Sequence, residues 1–152
     1  GGNNAVVNSG TVVRTGAGTE SWIEAPFTNS GTVEVQAGTL RLGGGSRFES
    51  GSSVSGAGTL ALNGGTHTFA VRAANQFGRV NNPAGTVTLA GTLAASIDPA
   101  YVPVVGDTFP IVRAGTVTGT FSNTLDLPLT GGLRLRSRNE PGGGVTLFVT
   151  TP

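Results

Sequence analysis

The chain alternates hydrophobic and polar residues in short runs, and each run follows a glycine. Gly31-Thr32-Val33-Glu34-Val35 and Gly38-Thr39-Leu40-Arg41-Leu42 set the pattern, and Gly58-Thr59-Leu60-Ala61-Leu62 repeats it. Alternation at period two marks a strand with one buried face. It predicts Val33, Val35, Leu40 and Leu42 inward, with Glu34 and Arg41 outward. Thr and Val suit a pleated surface. The glycines supply corners where the chain needs positive φ or close backbone approach. A helical reading fails, because glycine and β-branched residues disfavour helix and no long 3.6-residue period occurs.

Two glycine motifs run interleaved. One carries Gly10, Gly31, the weaker Gly51 and Gly85; the other carries Gly18, Gly38, Gly58 and Gly91. Their steps are 21, 20 and 34, and 20, 20 and 33. A period near 20 built of strands is the signature of a solenoid, in which one coil cannot bury its own apolar face and stacked coils can. The sequence therefore predicts an all-β fold: a short right-handed parallel β-helix of three or four coils over residues 1–95. The long last step predicts an insertion near 63–82, holding an extra strand and a short helical turn. Beyond 95 the rhythm changes, with strand-like runs at Thr108–Val112, Thr116–Phe121, Leu133–Arg138 and Val145–Thr150. The last two flank a Pro-Gly-rich turn and predict a hairpin, so residues 96–152 read as a C-terminal β cap over an otherwise open sheet edge. A β-sandwich is the competing fold.

Composition narrows the function. Glycine accounts for 26 of 152 residues, and the net charge is +1, with every basic residue an arginine. That field is too weak for nucleic-acid binding. Cysteine is absent, which excludes disulfides and thiolate metal sites. No apolar run is long enough to cross a membrane as a helix. The opening Gly1-Gly2-Asn3-Asn4 has no initiator methionine and reads as a mature or excised piece of something longer.

Gly31 to Leu42 resembles the β-strand repeats of large bacterial surface and secreted proteins, the autotransporter passenger domains and filamentous adhesins. Tyr101 to Val112, Gly115 to Phe121 and Gly144 to Val149 are similar to the segment that often ends such arrays. The resemblance implies an extracellular β-solenoid serving as a stalk or an adhesive surface, with neighbouring modules of the same chain, identical subunits or polysaccharide as partners.

The candidate chemistry is sparse. Arg134, Arg136 and Arg138 alternate along one run and would share a strand face. They are either binders of an anionic polysaccharide or neighbouring module, or a solvated edge strand. Trp22 and Tyr101 are candidate exposed contacts, since aromatic faces stack on sugars. Phe27 and Phe48, 21 apart, fit stacking inside the core. His67 is the single histidine and reads as structural. Glu20, Glu24 and Glu34 offer a thin case for paired-carboxylate catalysis. Leu127-Pro128-Leu129-Thr130-Gly131 matches a sortase pattern without the hydrophobic segment and basic tail that signal needs. Thr-x-Thr pairs at Thr66, Thr86 and Thr116 are unevenly spaced and do not predict a regular ice-binding ladder. Nothing calls for a cofactor or a metal. The reading is a non-enzymatic structural or adhesive module, with a carbohydrate-binding or carbohydrate-active β-helix as the alternative.

Overall fold

A computed structural model describes residues 4–152. Three successive coils each lay down three short strands. The first coil holds β1 (Val6–Asn8), β2 (Thr11–Arg14) and β3 (Glu20–Ile23). The second holds β4 (Phe27–Asn29), β5 (Thr32–Val35) and β6 (Thr39–Leu42), and the third β7 (Ser46–Phe48), β8 (Ser53–Ser55) and β9 (Thr59–Leu62). Each strand pairs in parallel with its counterpart one coil on: Val6 with Phe27, Thr11 with Thr32, Thr39 with Thr59. Three sheets result, and the parallel stacking fits a solenoid-like β fold.

The alternation does what the sequence predicts. Val33, Val35, Leu40 and Leu42 are buried, while Glu34 and Arg41 lie on the outer face. Stacking turns these positions into columns: Leu40 pairs with Leu60 and that with Val87; Leu42 pairs with Leu62 and that with Leu89. Close stacking explains two glycines. Gly38 has φ 67°, a conformation that disfavours side chains, and a Cβ there would meet the Arg14 guanidinium. A Cβ on Gly31 would collide with the Gly10 carbonyl oxygen of the preceding coil.

Beyond the third coil most strands lengthen. They are β10 (Thr66–Ala73), β11 (Gln76–Phe77), β12 (Val80–Leu89), β13 (Thr92–Ile97) and β14 (Thr108–Gly119). Here the repeat assignment needs correction. Gly85-Thr86-Val87 continues the sheet of the other motif, since Thr86 pairs with Thr59. Gly91-Thr92-Leu93 joins the remaining sheet, pairing with Thr66 and His67. A Gly-Thr-hydrophobic corner is chemically the same on every side of a coil, so only the pairing partner reveals which side a copy occupies. With the copies reassigned, the 33–34-residue step disappears. The true steps are 26 from Thr66 to Thr92 and 27 from Thr59 to Thr86. The extra residues form an antiparallel β10–β11 hairpin instead of a helical turn.

The C-terminal part closes the stack. Two predicted strands fuse into β14, whose Val112–Gly119 half pairs in parallel with β12 and so crosses the seam expected near residue 95. Its Thr108–Val112 half pairs antiparallel with β17 (Val145–Thr150). The expected hairpin joins β17 to β16 (Arg134–Asn139), and β15 (Asp126–Pro128) lies outermost. Between residues 10 and 93 only the β10–β11 hairpin is antiparallel, so the pairing a sandwich requires is not there. The helical content of the described residues is one three-residue 3-10 turn, Thr130–Gly132.

Candidate functional site

The arginine row is placed as expected but not on an edge. Arg134, Arg136 and Arg138 lie on β16, flanked by β15 and β17, and the edge strand is β15. The row is largely neutralised. Arg134 and Arg136 both donate to Asp126 Oδ1, at 2.5 and 3.3 Å. Their hydrogen bonds, Arg134's above all, hold the Asp126 carboxyl below its usual range. Arg138 donates to Glu140 at 2.9 Å, lowers that carboxyl too, and lies over the Phe148 ring. Three guanidiniums thus share two carboxylates, which leaves one positive charge on this face and each arginine held by an ion pair.

Trp22 is 49 % exposed on the outer face of β3. The Arg41 guanidinium of the next coil sits 5.4 Å from its ring centroid and also pairs with Glu20 at 2.7 Å. That hydrogen bond lowers the Glu20 carboxyl and raises the guanidinium. Tyr101 corrects the expectation of an exposed contact. It is half-buried, packs edge-on against Phe109, and its hydroxyl donates to Asp107 Oδ2. Burial first, then the Asp107 carboxylate, pushes the phenol well above its usual range. The same Asp107 oxygen accepts from the Val104 amide at 3.0 Å, so the pair pins the loop between β13 and β14.

The expected Phe27–Phe48 stacking is rearranged by register, and register also aligns threonines that sequence spacing did not. Phe27 faces Ser46, and Asn29 faces Phe48, so the two rings are not in register. Phe48 stacks instead on Phe69, with centroids 5.3 Å apart. Asn29 meets Asn8, whose Nδ2 donates to Asn29 Oδ1 at 2.9 Å in the interior. Thr86 and Thr88 lie in register with Thr116 and Thr118 despite their separation along the chain, whereas Thr66 and Thr68 are on another sheet. A solenoid absorbs unequal coil lengths in its loops, which sequence spacing cannot reveal.

The interior holds a polar pair whose members lie 21 residues, one coil, apart. His67 is fully buried; its Nε2 lies 2.9 Å from the Asn63 carbonyl oxygen, and its Nδ1 lies 2.7 Å from Ser46 Oγ. A carbonyl can only accept, so Nε2 carries the proton and Nδ1 accepts from the serine hydroxyl. Burial lowers the imidazole's proton affinity. Ser46 and His67 pair across adjacent strands in one inward column with Phe27 and Leu93, which makes them core polar groups satisfying each other.

The carboxylates are dispersed. Glu20, Glu49, Asp98, Asp126 and Glu140 each have their own arginine partner, Glu34 accepts from Gln36, and Asp107 from Tyr101. Among the described residues no three His, Asp or Glu side chains come together as a metal site. One groove has a different character. It measures about 460 Å³ and is lined by Arg79, Asn81, Pro83, Pro110, Arg113 and Ala114, on the outer side of the β12–β14 pair. Arg79 and Arg113 belong to no repeat, so no pattern along the chain singles them out. The sequence matches no family model and no curated protein.

Proposed function

We propose that this chain is a right-handed parallel β-helical module of a bacterial cell-surface or secreted protein, acting without catalysis as a stalk, filament or adhesive segment. The observation that carries the reading is the stack itself: successive coils of about 20 residues pair in parallel and bury the same inward columns. Such a stack is stiff along its axis because every coil is hydrogen-bonded to the next. Among the described residues, one edge of β1, β2 and β3 has no partner strand, a surface suited to a neighbouring module or an identical subunit. The dispersed carboxylates support the non-enzymatic half, since glycoside cleavage uses two carboxyl groups held a fixed distance apart.

The test is incubation of the chain with neutral and acidic polysaccharides, followed by assays for new reducing ends and unsaturated uronates. No product is expected. Heat-labile release of product overturns the non-enzymatic reading, and a crystal structure with left-handed coils overturns the proposed helix. A carbohydrate-binding reading is favoured by one observation, the exposed Trp22 ring backed by Arg41. Glycan-array binding lost on Trp22→Ala selects it.

A further inference from the structure

We propose that the groove between Arg79 and Arg113 binds the carboxylates of an acidic polysaccharide. The proposal rests on the adhesive half of the reading above and names its ligand class and site.

Most of the positive charge is already paired. Of the nine arginines, Arg41, Arg47, Arg72, Arg134, Arg136 and Arg138 each have a carboxylate within 4.0 Å. Arg14 is buried and spends its guanidinium on the carbonyls of Gly16, Thr19 and Ala37. Two arginines remain with no such partner among the described residues, Arg79 and Arg113, and both line the same groove. Asn81 pairs directly with Arg113 across the two strands, and Arg79 lies two residues before Asn81, so all three project from one face. All three are exposed. Glu140 feels the charge of Arg113, but its hydrogen bond is taken by Arg138. Arg79 rests on the Phe77 ring at 5.3 Å, which fixes its position without cancelling its charge.

Two like charges left unneutralised side by side favour an anion between them. The rest of the groove selects which anion. Pro83, Pro110 and Ala114 offer flat C–H surfaces to the apolar face of a sugar ring, and Asn81 offers both a donor and an acceptor to hydroxyl groups. About 460 Å³ lies within the range of small-ligand sites and suits one or two sugar residues. Nucleic acid fits poorly, because phosphate-tracking surfaces need a longer basic stripe than two arginines and the chain carries a net charge of only +1. An anionic membrane surface is recruited by clusters of four to eight basic residues.

The test is titration of the chain with polygalacturonate, with dextran as the neutral control, by calorimetry at low and high salt. Polygalacturonate is expected to bind and dextran not, with binding weakening as salt rises. Arg79→Gln and Arg113→Gln, both surface changes, are each expected to weaken binding about tenfold or more. Arg134→Gln, which lies outside the groove and is ion-paired to Asp126, is expected to change it less than twofold. Absence of binding, equal binding of dextran, or binding unchanged in the Arg79→Gln/Arg113→Gln double variant overturns the site while leaving the stalk reading intact. Binding of a DNA oligonucleotide as tight as that of polygalacturonate overturns the choice of ligand.

Discussion

The two ends of the stack are built differently. At the amino-terminal end the inward columns run out into solvent: Val6 is 37 % exposed, whereas its partner Phe27 is 1 % exposed. Val12 and Ile23 are likewise half-covered above fully buried Val33 and Leu42. Val7, Val13 and Trp22 stand exposed around the rim. At the other end β14 is covered by β17, and Leu135, Leu147 and Val149 are sealed beneath the antiparallel cap. The outermost strand there, β15, contains Pro128, which has no amide to offer, and Asp126, which takes two arginines. Proline and charge are the devices that keep a sheet edge from pairing further. Burial is thus a property of position in the stack: equivalent side chains gain little in the first coil and a great deal below it.

The largest expected effect tests that contrast directly. Leu147→Ala at the sealed end removes a fully buried side chain and should cost about 2–5 kcal/mol. Ile23→Ala at the open end should cost less than half as much, because solvent already reaches the side chain. Urea denaturation of the two variants measures both, and equal losses would break the comparison.

A smaller effect is expected from acid. The buried imidazole of His67 has its proton affinity lowered in the folded state, from an ordinary value of 6.5. The unfolded chain therefore binds the proton more readily, so stability is full above pH 6.5 and falls as the pH drops below it. Protonation puts a proton on Nδ1, which can then no longer accept from Ser46. Hydrogen exchange at pH 5 should show β7 and β10 losing protection before β16 and β17, and His67→Gln should flatten the pH dependence. Loss of protection in the cap first would contradict this placement of the weak point.

The smallest effect belongs to the arginine row. Arg134→Ala and Arg136→Ala remove solvent-screened partners of the exposed Asp126, so each should shift the melting temperature by less than about 3 °C. A calorimetric scan checks this, and a larger shift would mean that β15 is held to the cap by charge instead of by its backbone ladder.

Reading these surfaces from sequence alone succeeds only in part, for identifiable reasons. That Arg134, Arg136 and Arg138 share a face follows from period-two geometry; that Asp126 and Glu140 neutralise them depends on how β15 and the turn fold back. Tyr101 stands out by residue type as a sugar-stacking aromatic, yet Asp107, six residues on, captures its hydroxyl. Arg79 and Arg113 are 34 residues apart and share no motif, so nothing but the β12–β14 pairing brings them together.

The alternation and the glycine corners by themselves determined an all-β chain, the inward and outward residues of β5 and β6, a repeat of about 20 residues and the terminal hairpin. These are local properties: side-chain direction on a strand is fixed by its own backbone, and a corner by its own glycine. The tertiary structure alone decided which side of the coil Gly85 and Gly91 occupy, that Phe48 meets Phe69 and Phe27 meets Ser46, and which arginines lack a carboxylate. Those are matters of register. A loop can gain or lose residues at little cost while the ladder it connects stays aligned, so spacing along the chain stops reporting proximity in space.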